Sequence, residues 1–131
     1  MFGKITNLLR LLKSFVIFWK NYKRRGFVKI LFSNGELEKC AVDESFALKT
    51  MGKVRAKLYA RRIQSLAAAL SFADLKHYPG NFHELVGNRK GQWACNLDQP
   101  NRLISKGAEP GEDVVWSNES DAIVLEIVDY H

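Results

Sequence analysis

Hydrophobic residues follow two different spacings along the chain, and the change between them falls near residue 80. Before it, apolar residues recur three or four positions apart, which is typical of amphipathic helices. After it, short apolar runs are separated by glycine, proline, asparagine and aspartate, which is typical of strands joined by turns. Helices followed by an antiparallel meander predict an α+β fold, with N-terminal helices packed on one face of a twisted antiparallel sheet.

Turn and capping residues set the limits of the predicted elements. Asn34-Gly35 ends a first strand over residues 28–33, and a short helix is predicted from Glu36. Asp43 or Ser45 is a candidate N-cap for a second helix, which Gly52 ends. A last helical turn is predicted over residues 71–78, and strands over residues 82–86, 91–97, 101–105 and 122–129, with a hairpin turn at residues 87–90.

The clearest helix is predicted over residues 53–70, and it is strongly basic. Its core stripe is predicted to be Val54, Leu58, Ile63, Leu66, Ala67 and Leu70, and its cations are Lys53, Arg55, Lys57, Arg61 and Arg62. Solvated helices usually interleave both charge signs, but no acidic residue lies between Lys53 and Asp74. We therefore predict that residues 53–62 bind RNA phosphates or an acidic protein surface, with a merely solvated face as the alternative.

Positive charge is concentrated at the N-terminus. The chain carries +6 overall, but residues 1–27 hold seven basic residues and no acidic one, which leaves 13 basic and 14 acidic residues in the other 104. Residues 1–26, whose apolar residues have helical spacing, are therefore predicted to be a basic amphipathic extension, and residues 27–131 the domain. The longest charge-free run of the extension is six residues, whereas a bilayer span needs about 20, so no stable membrane insertion is expected. A helix lying on a membrane surface stays an alternative.

Cysteine and histidine usage gives no indication of a metal site. Cys40 and Cys95 are far apart, and His77, His83 and His131 have no metal-ligand spacing, so neither a metal nor a cofactor is expected. Two thiols without a disulfide pattern are typical of reduced, buried cysteines in a cytoplasmic protein. The apolar content of 47% is that of one globular domain.

Three features of the second half of the chain carry candidate chemistry. Gly87 to Trp93 (GNRKGQW) places Arg89 and Lys90 on a tight turn, where two cations suit phosphate contact. Arg102 lies in a strand that is otherwise apolar, where a charged side chain needs a partner or a function. The final strand delivers Asp129, Tyr130 and His131 to its end, and these are residue types that perform general acid–base catalysis.

Three segments, HELVGNRKGQWACNL, NRLI and AIVLEIVDYH, resemble in order and spacing the HigB branch of the RelE/ParE toxin superfamily, the killer proteins of bacterial type II toxin–antitoxin modules. The resemblance covers about residues 28–131 and is strongest from residue 82. The chain departs from the family pattern at Asn101 and Ser105, where related chains often carry aromatic residues.

The resemblance implies a RelE-like, microbial-RNase-like fold and ribosome-dependent cleavage of messenger RNA in the bacterial cytoplasm. It implies a helix-turn-helix antitoxin of the HigA type as partner, in a hetero-oligomeric complex. It also implies catalytic roles for Tyr130 and His131, a supporting role for Asp129, and phosphate binding by Arg89 or Lys90. Arg102 is the further candidate for stabilising transition-state charge, and Asn88 and Gln92 are candidate RNA contacts.

The expected reaction needs no metal: a ribose 2′-OH attacks the adjacent phosphate and leaves a 2′,3′-cyclic phosphate and a 5′-OH. In a regular strand Asp129 and His131 share one face and Tyr130 takes the other, so joint action needs a twist or bulge. Two other functions stay open, because one fold can host several activities. One is a ParE-like toxin that inhibits a DNA topoisomerase by binding, and the other is an inactive module that binds only its antitoxin.

Overall fold

A computed structural model of the protein describes residues 15–19, 27–108, 111–113 and 122–129, with the backbone alone for residues 15–19 and 27–29. These residues form a mixed α+β fold, as predicted from the spacing of hydrophobic residues. The helices within them are α1 (Gly35–Val42), α2 (Glu44–Met51), α3 (Lys53–Ala68) and α4 (Phe72–Leu75). The strands are β1 (Phe15–Trp19), β2 (Phe27–Phe32), β3 (His83–Glu84), β4 (Gln92–Asn96), β5 (Asn101–Gly107) and β6 (Ala122–Asp129).

Side-chain caps begin three of the helices, and the cap at Asp43 is one of the two candidates that the sequence offered for α2. The Asn34 side chain accepts from the Leu37 backbone N–H at 2.8 Å, and Asp43 accepts from the Phe46 N–H at 3.1 Å. Ser71 accepts from the Asp74 N–H at 3.1 Å at the start of α4. These bonds satisfy N–H groups that have no partner inside their own helix. Gly52, with a φ of +84°, separates α2 from α3 as predicted.

The strands of the described residues form one sheet in the order β1-β2-β6-β5-β4-β3. The pairs β3–β4, β4–β5 and β5–β6 are antiparallel, which confirms the predicted meander and its hairpin turn at residues 87–90. Strands β2 and β6 are parallel, which the sequence did not indicate. Two strands have other ends than predicted. The strand expected over residues 82–86 is limited to His83–Glu84, and β5, expected to end at residue 105, continues through Gly107.

The core lies between the helices and one face of the sheet. Tyr59, Ile63 and Leu66 of α3 are fully or almost fully buried against sheet residues that include Leu103 and Val124. The Tyr59 hydroxyl donates to the Leu37 carbonyl at 2.7 Å and so ties α3 to α1, while burial raises the pKa of Tyr59 far above its usual value.

The stripe predicted for α3 is displaced around the helix. Ile63, Leu66 and Ala67 are buried as predicted, but Val54 is 63% exposed. Ala56 and Tyr59, which the prediction left out, face the core instead. Periodicity counts only strongly apolar residues, so it left out a small alanine and a tyrosine whose hydroxyl has a hydrogen-bond partner inside the fold.

The N-terminal prediction needs one correction. Residues 15–19 form a strand, not the helix that the spacing of residues 1–26 indicates, and this strand pairs antiparallel with β2 from Phe15↔Leu31 to Trp19↔Phe27. A neighbouring strand supplies main-chain hydrogen-bond partners, which a pattern of side chains cannot reveal. The rest of the predicted extension lies outside the described residues. None of the helices in the described part of the chain has the length and apolar character to cross a membrane.

Arg62 was predicted on a solvent-facing basic surface, but the structure buries it to 8% exposure. Its Nε donates to the Asn96 carbonyl at 2.7 Å, and the Asn96 N–H in turn donates to the Gly80 carbonyl at 2.8 Å. A Cβ at Gly80 would lie 2.6 Å from the Arg62 Nε, and Gly80 has a φ of +113°. Arg62 therefore holds the end of β4 in place, and it does so only because residue 80 has no side chain.

We predict that Gly80→Ala destabilises the fold by about 1–3 kcal/mol, because it adds backbone strain and displaces Arg62. Urea unfolding at equilibrium measures the change. Gly35→Ala is the matched control, since no atom lies within 4 Å of its added Cβ and its φ is not positive. That control should be neutral or stabilising by up to about 1 kcal/mol. Equal stabilities of the two variants would contradict the close contact.

Candidate nucleic-acid interface

The face of the sheet opposite the helices carries the candidate site, and β5 defines it. Leu103 and Ser105 point into the core and are at most 1% exposed. Because strand side chains alternate, Arg102, Ile104 and Lys106 lie on the other face. We call this the outer face; its members on β4 are Gln92, Ala94 and Asn96, which stand opposite Lys106, Ile104 and Arg102.

A β-bulge on β6 sets which of its residues reach the outer face. Ile104 stands opposite Glu126 but Ser105 opposite Val124, so Leu125 is an extra residue on β6. Beyond the bulge, Glu126 and Val128 lie beside Ile104 and Arg102, on the outer face. The Ser33 hydroxyl donates to the Leu125 carbonyl, which gives the bulged residue a hydrogen-bond partner from the end of β2.

Arg102 is a cation with neutral partners. Its Nη1 lies 3.1 Å from its neighbour's carbonyl, that of Asn101, and 3.4 Å from the Gln99 Oε1. Among the described residues it forms no ion pair, and the residue is partly exposed. A guanidinium without a carboxylate keeps its charge and its paired N–H groups available to an anion such as phosphate.

Arg89 is placed differently from its prediction. The turn at residues 87–90 was expected to present two cations to solvent, but Arg89 donates to the Gln92 Oε1 at 2.8 Å and to the Glu126 Oε2 at 2.9 Å. Glu126 stands two strands away from β4, so the Arg89 side chain reaches over the outer face at the level of Ile104. Its charge is thus compensated before any ligand arrives.

Lys90 lies in a cleft at the end of the sheet, lined by Gln92 and Lys106 from the outer face and by Phe72 and Trp93 from the core side. The cleft has a volume of about 620 Å³ and is formed by the turn before β4, the end of β5 and the loop that follows. Its cations are Lys90 and Lys106, and its acids are Glu84 and Glu112. Lys106 and Arg102 are four residues apart on β5, which is about 13 Å at about 3.3 Å per residue. Lys90, which was predicted to act with Arg102, therefore shares its cleft with Lys106 instead.

Asp129 stands opposite Asn101 in the register, at the end of β6. By alternation from Ile127, which packs on the core, Asp129 is on the helix side, while Arg102 is on the outer face. The two residues therefore flank the end of β6 from opposite sides. Tyr130 and His131, the other two members of the predicted catalytic group, lie outside the described residues.

Arg55 of α3 reaches the same end of the sheet. It forms a bidentate ion pair with Asp98, with Nε–Oδ1 and Nη2–Oδ2 distances of 2.9 and 3.2 Å. The hydrogen bond from Arg55 lowers the pKa of Asp98, and the same bond, with smaller contributions from the charges of Asp98 and Asp129, raises the pKa of Arg55. Arg55 thus fixes the turn between β4 and β5 and places a positive charge near Asp129.

The remaining predicted RNA contacts have mixed positions. Lys53, Lys57 and Arg61 are exposed on α3, and Asn88 is exposed in the turn before β4. Gln92 is half-buried and holds Arg89. Arg55 and Arg62 are structural, as described above, so the exposed basic surface of α3 consists of Lys53, Lys57 and Arg61.

Sequence reasoning missed two residues of this face, Lys106 and Glu126. Lys106 was assigned to a loop because it follows the apolar run, but it continues the alternation of Arg102 and Ile104, and that signal could have found it. Glu126 was treated as one polar residue in a buried strand. Only the bulge brings it to the outer face, and no local pattern indicates the bulge.

The described residues provide neither a reactive cysteine nor a metal-binding cluster. Burial raises the pKa of Cys95 to about 12, which suppresses its thiolate form, and both cysteines are buried and free. Within the described ranges, no group of three or more histidine, cysteine, aspartate or glutamate side chains is placed to hold a metal ion.

No protein-family model matches the chain, and no curated protein shows significant sequence similarity to it. The resemblance to HigB toxins therefore depends on the motifs themselves, and the function has to be argued from the outer face.

We predict that Glu126→Gln strengthens binding of single-stranded RNA, because it removes the charge that compensates Arg89. The stability should change by less than about 1 kcal/mol, since both partners are substantially exposed. Fluorescence anisotropy across a salt series should give tighter binding and a slope of log K against log salt that is steeper by about 0.7. Glu44→Gln, an exposed acid at the start of α2, is the control for net charge. Equal binding by both variants would show that Glu126 does not mask Arg89.

We predict that the Arg55–Asp98 pair contributes a pH-dependent part of the stability. Because the pKa of Asp98 is lowered in the folded state, this contribution is complete above the unfolded value of about 4 and is lost as the pH falls through the lower folded value. Urea unfolding at several pH values should therefore show a shallower loss on acidification for Asp98→Asn than for the parent. Arg55→Gln should show the same reduced slope, and a parent-like slope in either variant would contradict the assignment.

Proposed function

We propose that the protein is the toxin of a type II toxin–antitoxin module, a HigB-type endoribonuclease that cleaves messenger RNA on the ribosome without a metal ion. The proposal joins the motif resemblance to the arrangement of the outer face. It includes a RelE-like fold, a cytoplasmic site of action and a helix-turn-helix antitoxin as the neutralising partner.

One observation carries the proposal. Arg102 presents a guanidinium without a carboxylate partner among the described residues, beside the strand end from which the chain continues into Tyr130 and His131. A phosphate bound by Arg102 would lie at the end of the segment that holds the candidate acid–base groups. Stabilisation of charge on the phosphate in the transition state is usually a large part of catalysis.

The chemistry assigned to each residue follows from its type and position. The ribose 2′-OH attacks the adjacent phosphorus, the bond from phosphorus to the 5′ oxygen breaks, and a 2′,3′-cyclic phosphate and a 5′-OH result. His131 transfers protons, because an imidazole titrates near neutral pH. Tyr130 orients the scissile phosphate or shares the proton transfer, Asp129 supports His131, and Arg102 binds the phosphate.

The exposed cations of α3 suit contact with ribosomal RNA. Lys53, Lys57 and Arg61 are exposed, and the structure gives none of them an ion pair with a described residue. Phosphate contacts by such lysines and arginines add affinity without sequence preference and weaken with salt. This surface would hold the ribosome while Arg102 and the end of β6 act on the message.

We predict that induction of the protein produces cuts in a translated reporter message, mapped as new 5′ ends that carry a hydroxyl. Arg102→Gln should reduce the cleavage rate by about 10²–10³, as expected for loss of a group that stabilises transition-state charge. His131→Ala should reduce it by about 10²–10⁴, as expected for loss of a general acid or base. Lys49→Gln, an exposed lysine of α2 remote from the outer face, is the control and should cleave like the parent.

Each other outcome identifies a different activity. Growth arrest without cuts would indicate a toxin that inhibits a topoisomerase by binding. Soluble, folded protein that causes neither arrest nor cuts would indicate a module that binds only its antitoxin. Cuts that persist in His131→Ala but vanish in Arg102→Gln would keep the nuclease and assign its proton transfer to Tyr130.

A further inference from the structure

The cleft at the end of the sheet is lined by two lysines, Lys90 and Lys106, and by two acids, Glu84 and Glu112. Its acids are gathered around Lys76: Glu112 forms an ion pair with Lys76, and the charges of Asp113 and Glu84 also act on that lysine. Lys90 and Lys106 are exposed and have no ion-pair partner among the described residues. Glu112 is thus bound to Lys76, whereas no described residue forms an ion pair with Lys90 or Lys106.

The walls of the cleft are fixed by contacts that do not use these two lysines. The Ala73 N–H donates to the Glu112 carbonyl at 2.9 Å, which attaches the loop after β5 to α4. Phe72 stacks on Trp93 at 5.0 Å, and the Lys76 ammonium lies 5.8 Å from the centre of the Trp93 ring. The loop, α4 and β4 thus form a framework around Lys90 and Lys106.

The same framework excludes binding of a base by stacking. Trp93 is only 3% exposed, because Phe72 and the Lys76 side chain lie against it. The accessible polar groups of the cleft include the ammonium groups of Lys90 and Lys106, the carboxylates of Glu84 and Glu112 and the main chain near its glycines. None of these groups is an aromatic face, so the two lysines would bind a phosphate and not a particular base.

Lys106 and Arg102 share one strand and one face, with buried Ile104 between them. Their separation of about 13 Å along β5 is greater than one phosphodiester linkage can bridge. A single RNA strand laid along β5 would therefore place one phosphate at Arg102 and a later or earlier one at Lys106. Arg89 and Glu126 lie at the level of Ile104, between the two positions.

We propose that Lys90 and Lys106 form a second phosphate-binding subsite for the same RNA strand that Arg102 binds. This inference rests on the proposed function, and it specifies that the substrate is a single strand of several nucleotides that runs parallel to β5. The subsite contributes affinity and sets the path of the strand along β5, and it makes no contact with the scissile phosphate.

The test compares a short and a longer RNA, both with 2′-O-methyl riboses so that neither can be cleaved. A dinucleotide reaches only one subsite, whereas a hexanucleotide reaches both. Lys106→Gln and the double variant Lys90→Gln/Lys106→Gln are measured beside Arg102→Gln, with Lys49→Gln as the control for loss of one positive charge. Thermal unfolding of each variant verifies that it is folded, and Lys106 is exposed, so its substitution should leave the unfolding temperature unchanged.

We predict that Lys106→Gln weakens binding of the hexanucleotide by about tenfold and leaves the dinucleotide unchanged, because a charge-assisted hydrogen bond is lost at one subsite only. The slope of log K against log salt for the hexanucleotide should fall by about 0.7 per lost phosphate contact. Arg102→Gln should weaken both RNAs.

The possible failures are distinguishable. If Lys106→Gln binds both RNAs like Lys49→Gln while Arg102→Gln binds both weakly, the second subsite is wrong and the proposed function stands. If Arg102→Gln binds both RNAs like the parent, the proposed function fails, and with it the shared strand path. If Lys106→Gln weakens the dinucleotide as much as the hexanucleotide, both RNAs bind at the cleft, and the assignment of two subsites on one strand is overturned.

Discussion

The alternation of β5 is the constraint on which the rest of the site depends. Leu103 and Ser105 are buried against the helices, and this fixes the opposite orientation for Arg102, Ile104 and Lys106. A slip of one residue would turn Arg102 and Lys106 toward the helices and remove Leu103 from the core cluster, so the packing of β5 on the helices enforces the arrangement on the outer face. The spacing of Arg102 and Lys106 is consequently as rigid as the core itself.

Four arginines of the described residues differ in function because they differ in their hydrogen-bond and ion-pair partners. Arg62 is buried and bonded to a carbonyl, Arg55 is paired with Asp98, and Arg89 is paired with Glu126. Arg102 has only neutral acceptors among the described residues. The residues next to each arginine in the sequence do not reveal its partner. The different roles of the four arginines arise because loops and strands distant in sequence supply an acid to two of them and a main-chain oxygen to a third.

This difference also explains how much the sequence could predict. Asp43, Ser71 and Gly52 act within a few residues of their own position, so the sequence could indicate these caps and the break between α2 and α3, although the ends of α3 and α4 lie earlier than predicted. The meander was predicted because each of its turns is local. The parallel pairing of β2 with β6, the strand at residues 15–19 and the ion pairs of Arg55 and Arg89 all depend on neighbours distant in sequence. Periodicity in a single segment contains no information about those neighbours.

The bulge at Leu125 determines which face of the sheet Glu126 and Asp129 occupy, and it depends on a residue distant in sequence. With strict alternation from Val124, Glu126 would face the core and Asp129 the outer face beside Arg102. The extra residue reverses both positions, so Ile127 packs on the core, Glu126 meets Arg89, and Asp129 lies toward Arg55. Ser33, one residue after β2, supplies the hydrogen bond that accommodates this extra residue. The end of β6 therefore has a negative charge on its helix side and a positive charge on its outer side. In the proposed function, a phosphate would approach Arg102 from the outer face, on the side of the sheet opposite to the carboxylate of Asp129.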